Sequence, residues 1–575
     1  MIKSHKSKLT KFIMNVGKQK PTMKWIVAIT KPYLLMLSFL VIINVVTNAI
    51  AIVMALVNRS IIDTATAGGA YTTLIFVYVA VLLVSLAAGA ITTILSCVID
   101  ERFSFGIRMR VYDSVMRACW NKISKFHSGD IVTRLSGDVD IVARGVAEII
   151  PSIISLGVRF IMAFVTLAYF EIGIALFALF LGPITALIGI VFGRLMKPLQ
   201  EKLRQSESSY KSFMQESITN ITVFKAFEAQ DMAFEEMSKL RAERFKWLLK
   251  RQKLSAVSAT LFSLSFQIGY MGAFIYSTVN LAKGLITFGT MTVFLTLVSQ
   301  IQSPLVSLAR TLPLVVSIFT SANRIIEIGE VPLEDMESDE LESGALGLDV
   351  NNVNFSYEDD EILNEASLFI KPGEFVSMMG SSGIGKTTFI RLLMSYVQPN
   401  AGTLELFDKN GKRSLIRAGS REYMSYVPQG NTLISGTIIE NIRLSDPEIT
   451  EDEVWELLKV VAVDDFVRSS SNGLNTLIGE RGLGLSEGQA QRIAIARALA
   501  KKAPLLILDE ATSALDEETE LAVLQHLKDN AKGITCILIT HRTSVLKFCD
   551  RCIRIDNKQI IEDSKRIIEA KSKED

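Results

Sequence analysis

The sequence has few cysteines, almost no net charge and, over long stretches, no charged residue at all. Only five cysteines are spread over 575 residues, which argues against a disulfide framework and predicts reduced thiols. Cys549 and Cys552 form a CxxC, but no second pair exists to complete a zinc site. The net charge of +1 gives no reason to expect nucleic acid as a partner. The charge-free stretches are the feature that remains to be explained.

Six long apolar stretches occupy the first half of the chain. Five contain no charged residue, and the third is interrupted only by Glu148 and Arg159. In chain order they cover 32–58, 64–99, 145–170, 172–193, 254–282 and 284–309. A helix needs about 20 apolar residues to cross hydrocarbon, and only a helix satisfies its backbone groups within one such segment. The sequence therefore predicts six transmembrane helices.

The loops between these stretches differ in charge. Residues 100–144 carry eight Lys and Arg and residues 194–253 carry thirteen, whereas the turns on the other side carry only Arg59 and Lys283. By the positive-inside rule, the two long loops and both termini are cytoplasmic. We expect a multi-pass protein of a bacterial cell (plasma or inner) membrane.

Charge also divides the chain into parts. Residues 1–31 hold eight lysines and no acid, which predicts a basic tail followed by a short helix in the membrane interface. Residues 325–345 hold eight acids and no base, the pattern of a solvated linker. The prediction is an all-α membrane domain over 32–324. Because strands and helices alternate beyond the linker, we also expect an α/β phosphate-loop domain with a largely parallel sheet over 346–575.

A glycine-rich turn in the second half fits the phosphate-binding loop pattern. A strand-like apolar run, 375–379, is followed by GSSGIGKTT and then by apolar residues at helical spacing. Glycines let backbone N–H groups face an anion, and the next helix points its positive end at the same place. Lys386 would reach the β- and γ-phosphates, and the Thr387 hydroxyl would bind Mg²⁺. The expected ligand is a nucleoside triphosphate.

Further segments supply the other groups that such a site needs. The apolar strand LLIL ends in Asp509 and Glu510, and acids at this end of a strand lie beside the phosphate loop in this class of sheet. Asp509 would help to hold Mg²⁺, and Glu510 would act as base on the attacking water or orient it. The sequence LSEGQ opens a second helix and offers another anion contact. Strand-like runs also lead into Gln429 and His541.

The order of these motifs resembles the nucleotide-binding domain of ABC transporters. GSSGIGKT, VPQ, LSEGQ, LLILDEATSALD and ITH follow one another in the family's order, and other phosphate-loop ATPases lack the LSEGQ segment. With six preceding spans, the chain is similar to a half-size ABC exporter of the type IV fold over residues 20–565. The resemblance implies an ATP hydrolase that uses ATP and Mg²⁺ and exports its substrate by alternating access as a dimer.

The resemblance also assigns roles to individual residues. Tyr357 would stack on adenine, and His541 would steady the γ-phosphate. The implied catalytic residues are Glu510, His541, Gln429 and Lys386, and the implied Mg²⁺ ligands are Thr387, Gln429 and Asp509. The ATP-binding loop would comprise Gly380, Ser381, Ser382, Gly383, Ile384, Gly385, Lys386, Thr387 and Thr388. The ATP of the opposite subunit would be contacted by Ser486, Gly488 and Gln489.

Coupling between the domains is implied in the same way. The resemblance makes coupling helices of the segments 128–134 and 215–223, which would dock on the ATPase domains. The residues expected to take part are Asp130, Arg134, Glu216, Glu480 and Asp516. Of these, Glu480 matches an exporter loop that touches the membrane helices, and Asp516 would link the two nucleotide sites.

Two residues depart from the family's pattern. Glu487 replaces a glycine of LSGGQ, and Ile384 replaces a small residue of the phosphate loop. Because LSEGQ keeps the Ser and Gly that make contacts, we expect activity, with an altered rate. Glu510 and His541 are both intact, which allows a homodimer and equally the competent member of a heterodimer with a second half-transporter.

Arg159 lies near the middle of the third span. Intramembrane charge is costly and usually faces a cavity or a partner. Arg159 would either line a central pathway for an anionic or headgroup-bearing substrate or pair with a polar group on a neighbouring helix. Gln267 and Gln300 are candidates for the same cavity, as are Asn44, Asn48 and Gln302, although single polar residues in spans more often bond between helices.

The sequence leaves the cargo and the direction of transport open. A lipid, a hydrophobic drug or another small molecule, and a peptide all remain possible substrates, besides the membrane lipid that surrounds the spans. An importer built on the exporter fold and a nucleotide-gated channel or sensor are the alternatives to export. A soluble ABC ATPase is excluded by the six spans.

Overall fold

The computed structural model describes residues 20–358, 360–381, 383–479, 482–530 and 533–563, and the chain divides into two compact units. Among the described residues, the first unit covers 20–116 and His127–Glu330. The second unit covers Arg117–Phe126 and the chain from Val331 onward. The boundary after Glu330 falls within the predicted linker. Most of the predicted basic tail lies outside the described residues.

From Lys20 to Glu330 the chain is helical apart from short turns. Its helices are α1 (Lys20–Thr30), α2 (Leu34–Thr66), α3 (Thr72–Met116), α4 (Trp120–Ile123), α5 (Ser128–Thr133), α6 (Val139–Arg144), α7 (Ile150–Phe170), α8 (Ile172–Thr219), α9 (Ile221–Ala226), α10 (Gln230–Ala282) and α11 (Phe288–Gly329). A 3-10 turn, Lys31–Tyr33, joins α1 to α2. The π-helical segments Arg134–Asp138 and Gly145–Ile149 join α5, α6 and α7. All but α4 belong to the first unit.

Six helical stretches in the described part of the chain are long and apolar enough to cross a membrane, as predicted. They are Lys20–Thr66, Thr72–Met116, Ser128–Phe170, Ile172–Thr219, Gln230–Ala282 and Phe288–Gly329. Each has between 42 and 53 residues, and at 1.5 Å per residue it is about 60–80 Å long, roughly twice the hydrocarbon thickness. The helices therefore continue well beyond the apolar layer.

The interior of the first unit is built from small and branched residues. Ala163 and Leu167 of α7 pack with Ala175 of α8, Ala273 of α10 and Leu297 of α11, all of them buried. Small residues let helix backbones approach closely, which is the main source of packing between helices in lipid. Large apolar side chains elsewhere point outward, for example Phe76 on α3 at 77% exposure. Such a surface is suited to lipid.

The second unit contains parallel and antiparallel sheets. Its strands are β1 (Gly347–Tyr357), β2 (Asp360–Ile370), β3 (Phe375–Met379), β4 (Ala401–Phe407), β5 (Arg413–Leu415), β6 (Met424–Val427), β7 (Gly436–Thr437), β8 (Leu477–Ile478), β9 (Leu505–Asp509), β10 (Thr535–Ile539), β11 (Arg551–Asp556) and β12 (Gln559–Glu562). One sheet has the order β12-β11-β3-β10-β9-β6 and is parallel except for β12. An antiparallel sheet has the order β2-β1-β4-β5, and β7 pairs with β8.

Helices cover the parallel sheet, as the predicted α/β class requires. They are α12 (Lys386–Leu393), α13 (Ile438–Arg443), α14 (Glu451–Val460), α15 (Asp464–Ser469), α16 (Glu487–Ala500) and α17 (Glu517–Asn530). Successive residues of a strand point to opposite faces. Ile507 of β9 accordingly packs with α12 and the antiparallel sheet, whereas Leu508 packs with α13, α14 and α16. The apolar run of β9 thus contributes side chains to two hydrophobic cores, one on each face of the sheet.

The segment Arg117–Phe126 belongs to the second unit, although α3 before it and α5 after it belong to the first. Its α4 places the Trp120 ring 5.5 Å from that of Tyr396, and the Arg391 guanidinium lies 4.9 Å from the centre of the Trp120 ring. The backbone N–H of Cys119 donates to the carbonyl of Pro332 at 2.8 Å. The segment that packs within the second unit thus lies directly before the predicted coupling helix, 128–134.

Most residues of the acidic run after Glu330 are exposed and form no helix or strand, while two of its acids pair with arginines of the second unit, so its role as a linker stays a prediction. Residues 325–329 form the end of α11, and the residues after Glu330 lie along the second unit. Glu334 is largely buried in an ion pair of 2.5 Å with Arg421, and Glu337 pairs with Arg417 at 3.0 Å. The arginines after β5 neutralise the acids, and their proximity could not be read from the acidic run itself.

Candidate functional site

The predicted phosphate loop follows the fully buried strand β3 and opens α12. Gly380, Gly383 and Gly385 have φ values of +154°, +83° and +116°, which L side chains rarely adopt. A Cβ at Gly385 would also lie 2.9 Å from Cγ2 of Ile362. The loop therefore needs glycine at this position, and its turned backbone forms a concavity at a helix N-terminus, a geometry that binds anions.

Lys386 lies inside this loop with only 7% of its surface exposed. Its ammonium donates a 2.6 Å hydrogen bond to the carbonyl of Gly380 and lies 2.9 Å from Nε2 of His541. Burial lowers the pKa of Lys386, while the carboxylates of Glu510 and Asp509 oppose that shift. A buried cation of this kind is stabilised by further negative charge.

The parallel strands bring the predicted polar groups to one edge of the sheet. β10 pairs with β3 and β9, and β6 pairs with β9, so that the residues after these strands are neighbours. Nε2 of Gln429 donates to Oε2 of Glu510 at 2.7 Å, and Nε2 of His541 lies 3.0 Å from Oε1. His541 Nε2 either donates to Glu510 or accepts from Lys386, according to its tautomer. The predicted catalytic residues are thus in mutual contact.

Asp509 is buried at the end of β9, with 4% of its surface exposed. Burial raises the pKa of Asp509, whereas the hydroxyl of Tyr426, which donates to Oδ2 at 3.3 Å, lowers it. Burial also raises the pKa of Tyr426 well above its usual range. Sequence reasoning did not single out Tyr426, although it stands three residues before Gln429 in the strand that leads to that glutamine.

A cavity of about 150 Å³ lies at the centre of this arrangement, and we call it the Lys386 cavity. It is lined by Ile362, Gly383, Gly385, Lys386, Thr387, Thr388, Gln429, Asp509 and Glu510. All except Ile362 were predicted. Pockets for a whole ligand of drug size usually exceed about 300 Å³, so this cavity fits only the phosphate end of a nucleotide.

The oxygen donors around the cavity fit Mg²⁺. Thr387, Gln429 and Asp509 offer a hydroxyl, an amide and a buried carboxylate, and hard oxygen donors suit this ion. Among the described residues, no group of three His, Cys, Asp or Glu side chains could hold a metal by itself. A cation here would need phosphate oxygens as further ligands, which is how Mg²⁺ usually binds with nucleotides.

Other residues predicted for ATP binding lie outside this cavity. The Tyr357 hydroxyl accepts a 3.1 Å hydrogen bond from Arg391, and its ring packs edge-to-face on Phe355. Tyr357 lines a separate cleft together with Trp120 and Arg391. Ser381 is exposed, and the half-buried Ile384 packs against the core between the two larger sheets. Ser382 lies outside the described residues.

The LSEGQ segment forms the first turn of α16. Ser486 Oγ accepts from the N–H of Gln489 at 3.3 Å, and the Gln489 side chain accepts from the N–H of Ser486 at 2.9 Å, a reciprocal cap. A Cβ at Gly488 would lie 3.0 Å from the carbonyl of Ala514. Ser486, Gly488 and Gln489 do not line the Lys386 cavity of their own chain. Glu487 is exposed in this first turn.

The loop after Glu510 is tied to α16 and to the residue after His541. Gln491 accepts from the N–H of Ala514 at 3.0 Å, and Arg542 donates to the carbonyl of Leu515 at 2.8 Å. Asp516 caps α17 by accepting from the N–H and hydroxyl of Thr519, each at 2.9 Å, and the bond from that N–H lowers the pKa of Asp516. Sequence reasoning missed Gln491 and Arg542, which carry no motif of their own.

The predicted coupling residues of the first cytoplasmic loop are engaged within the first unit. Arg134 is 7% exposed and pairs with Asp130 at 2.9 Å and with Glu327 of α11 at 2.7 Å. Asp130 also pairs with Arg324 at 2.7 Å. Glu216 lies exposed near the end of α8, and Glu480 lies outside the described residues. The coupling role of these residues stays a prediction.

The predicted pathway residues have different surroundings. The Nε of Arg159 and Oε1 of Gln300 are buried atoms without a hydrogen-bond partner, as is Nε2 of Gln302. Gln267, by contrast, is exposed on α10. Among the other polar residues of the spans, Asn48 donates to Ser155 Oγ at 2.6 Å, the interhelical bond expected of a single polar residue.

Two family models match the sequence. The ABC transporter transmembrane region matches residues 37–305, and the ABC transporter model matches residues 363–513. The first match covers the apolar stretches except for the outer ends of the first and the last, and the second begins before the phosphate loop and ends after Glu510. Together the two matches cover most of the chain.

Two relatives extend these matches along the chain. An ATP-dependent lipid A-core flippase of Syntrophus aciditrophicus strain SB is 28% identical over 490 residues, 84% of this chain and 81% of the relative. A candidate multidrug export ATP-binding/permease protein of Staphylococcus aureus strain bovine RF122 is 29% identical over 488 residues, with 80% and 81% covered.

The fold matches that of a solved transporter. The structure of a bacterial Atm1-family ABC exporter with ATP bound superposes with a TM-score of 0.78 and 21% sequence identity. The superposition covers 95% of this chain and 99% of the other. At this level of identity the likeness concerns the fold, in which helical spans precede a sheet-containing ATPase domain.

Proposed function

Because this chain belongs to the ABC transporter family, with its transmembrane region and its ABC-type ATPase domain in one polypeptide, we propose that it exports a substrate from the cytoplasm as a dimer driven by ATP hydrolysis. The observation that carries the proposal is that Lys386, Glu510 and Gln429 line one cavity at the glycine loop, with His541 in contact with both Lys386 and Glu510. These groups are of use together only if a phosphoryl group is transferred there.

Each of these residues has a role in the proposed hydrolysis of ATP. The backbone of the glycine loop and Lys386 hold the β- and γ-phosphates, and His541 steadies the γ-phosphate by donating from Nε2. The water oxygen bonds to the γ-phosphorus, the bond to the β-phosphate oxygen breaks, and ADP leaves with that electron pair. Glu510, which is oriented by the hydrogen bond from Gln429, accepts the proton of the water. Mg²⁺ held by Thr387, Asp509 and Gln429 would neutralise phosphate charge.

The dimer is proposed because each chain lacks part of a site. Ser486 and Gly488 begin a capped helix outside their own Lys386 cavity, and a helix N-terminus binds anions. In a dimer, the α16 of one chain would face the γ-phosphate held by the other. ATP would then favour the closed pair over the open one, the differential affinity that a ligand-driven switch requires. A homodimer and a heterodimer both satisfy this geometry.

The segment Arg117–Phe126 is the proposed link between ATP and the spans. It packs within the second unit through Trp120, and the chain connects it directly to α3 and α5. A movement of the second unit must therefore pull on both helices. The tip of the second cytoplasmic loop offers another contact, because Ile218, Phe227 and Phe234 are 64%, 79% and 76% exposed. An apolar patch of this kind marks an interaction surface, for which we propose the partner's ATPase domain.

The proposed substrate is an amphipathic lipid or a hydrophobic compound, with a peptide as the remaining possibility. The relatives' names refer to a lipid and to drugs. Within the spans, the unpartnered atoms of Arg159 and Gln300 support a polar path that would suit a headgroup. Gln267 is a weaker candidate for a pathway residue. Its side chain is exposed, so it could line a pathway only if the second chain of the dimer covered it.

Transport into inverted vesicles tests the function. With the ATPase domains outside, export predicts ATP-driven accumulation of a fluorescent phospholipid analogue or a hydrophobic dye, and Lys386→Ala should abolish it by weakening ATP binding. Lys371→Ala changes an exposed lysine of the same unit and should leave accumulation intact. ATP-driven depletion of the vesicle lumen would instead indicate an importer. Conductance without uphill accumulation would indicate a channel.

A further inference from the structure

Three lysines gather around one tryptophan on the first unit. The ammonium nitrogens of Lys202, Lys246 and Lys250 lie 4.5, 5.8 and 4.7 Å from the centre of a ring of Trp247. Lys202 lies on α8 and the others on α10, the helix that packs along it. The lysines are exposed, and the indole is half-buried. These four residues are called the Trp247 cluster.

No carboxylate offsets this charge in the part of the chain that the structure describes. None of the three lysines has a carboxylate oxygen within the 4.0 Å of an ion pair. Of the acids nearby in sequence, Glu201 pairs with Arg204 at 2.7 Å and Glu207 lies 3.5 Å from Lys211, while Glu243, three residues before Lys246, forms no ion pair with these lysines. Three like charges around one ring repel one another, whereas an anion among them would turn the repulsion into attraction.

The cluster lies just beyond the apolar parts of its two helices. Lys202 follows the charge-free stretch 172–193 by nine residues, and Lys250 precedes the stretch 254–282 by four. These offsets correspond to about 14 and 6 Å along a helix. The interfacial layer is about 5–8 Å deep on each side of the hydrocarbon, and lysine side chains reach several ångströms along apolar surface to charged groups. Leu249, 43% exposed between the lysines, adds apolar surface.

We propose that the Trp247 cluster binds the phosphodiester headgroup of an anionic phospholipid in the cytoplasmic leaflet. The phosphate lies among the ammonium groups, and the indole lies beside it at the level of the headgroups, where tryptophan is favoured. The two helices contribute from opposite sides, so that one lipid bridges α8 and α10. The proposal rests on the membrane placement given above and does not depend on ATP or on transport.

Quenching of Trp247 fluorescence by brominated lipid tests the proposal. The chain has four tryptophans, and changing Trp25, Trp120 and Trp455 to Phe leaves Trp247 as the only emitter. In nanodiscs, dibrominated phosphatidylglycerol should quench more strongly than dibrominated phosphatidylcholine at equal mole fraction. Lys202→Gln or Lys250→Gln should each lower the apparent affinity for phosphatidylglycerol about fivefold. Lys239→Gln, on the same helix but paired with Glu235 at 2.9 Å, should leave it unchanged.

Three results would overturn the proposal. They are equal quenching by the two lipids, a phosphatidylglycerol preference that survives both lysine changes, and relief of quenching by free glycerol phosphate, which would indicate a soluble ligand. If the three-Phe variant does not fold, the difference between the native chain and Trp247→Phe gives the same readout. Because the measurement uses no nucleotide, its outcome is independent of whether the chain proves to be an exporter.

Discussion

The side-chain amide of Gln429 donates a 2.7 Å hydrogen bond to Oε2 of Glu510. The other carboxylate oxygen lies 3.0 Å from Nε2 of His541, so the carboxylate is held between two strand ends. The backbone of Glu510 is itself at φ +51°, a conformation that non-glycine residues adopt mainly where the surroundings enforce it, often at functional sites. This arrangement supports the proposed role of Glu510 as the base, in which case the rate of hydrolysis should depend on its charge more than the binding of ATP does.

Glu510→Gln keeps the size of the side chain and removes its ability to accept a proton. We expect ATP turnover to fall about 10²- to 10⁴-fold, the usual contribution of a general base, while ATP binding measured by calorimetry changes little. Glu518→Gln alters an exposed glutamate of α17 and should turn over ATP like the native chain. Native turnover in the Glu510 variant would refute its assignment as base.

Tyr426→Phe should shift the acid limb of ATP hydrolysis. The Tyr426 hydroxyl donates to ionised Asp509 and lowers the pKa of that carboxyl, against the upward effect of burial. Without the bond the pKa of Asp509 rises further, so protonation displaces Mg²⁺ at a higher pH. The half-saturating Mg²⁺ concentration should increase on acidification to pH 6 and approach the native value at pH 8.

Tyr423→Phe provides the control for this measurement. Tyr423 lies three residues earlier, and its hydroxyl donates to the carbonyl of Asp339, away from Asp509. Its removal should leave the Mg²⁺ dependence unchanged at both pH values. Identical profiles for Tyr426→Phe and the native chain would mean that Asp509 does not bind the cation.

What the sequence predicted and what it missed have a common physical explanation. Gly385, Lys386 and Glu510 could be predicted because binding a phosphate requires particular residue types at fixed spacing. The parallel sheet then brings these residues together. Trp120 and Tyr426 carry no such signature, because their roles depend on partners that lie far away in the chain. A local sequence motif is enough to predict a residue's chemical role, whereas contacts between residues far apart in the chain become visible only in the structure.

The acidic run 325–345 illustrates the same limit. Eight acids without a base predict a solvated linker, and nothing in the run indicates that Arg417 and Arg421 lie beside two of its acids. The six spans were easier to predict, because hydrocarbon requires length and apolarity from each helix separately. Buried polar atoms such as Nε of Arg159 are an intermediate case. The sequence shows that Arg159 lies within a span, but it does not show which groups face its side chain.

Gly419→Ala tests whether the acidic run is attached to the second unit. A Cβ at Gly419 would lie 2.4 Å from the backbone carbonyl of Met336, a contact that only a backbone shift can relieve. We expect a loss of about 1–3 kcal/mol in the free energy of unfolding and faster cleavage of the run by a glutamate-specific protease. Gly329→Ala, where no atom lies within 4 Å, should be neutral. Unchanged protease resistance in Gly419→Ala would contradict the attachment.

Glu487 offers a test of the dimer. Its carboxylate occupies the first turn of α16, where in the proposed dimer it would compete with a phosphate of the partner's ATP for the same positive helix end. Glu487→Gly and Glu487→Gln should both lower the KM for ATP, about two- to fivefold. The change should shrink at high salt, which screens exposed charge.

The pair of Glu487 variants separates charge from backbone effects. Glycine also loosens the first turn of the helix, whereas glutamine does not. An effect in Glu487→Gly alone would therefore point to flexibility. No effect in either variant would contradict the placement of α16 at the partner's nucleotide.

Trp120→Ala decides which segment couples the two units. The Trp120 ring packs on Tyr396 and beneath Arg391, contacts worth about 0.5–1.5 and 0.5–1 kcal/mol. Without these contacts α4 should pack less firmly on the rest of the second unit. Transport should then fall more than about tenfold, while basal ATP hydrolysis stays within about twofold because its catalytic residues are unchanged. Asn121→Ala changes the exposed neighbour and should preserve both activities. If Trp120→Ala transports normally and Arg134→Gln does not, the coupling lies in 128–134 as the sequence first indicated, and the packing of Trp120 serves only the stability of the second unit.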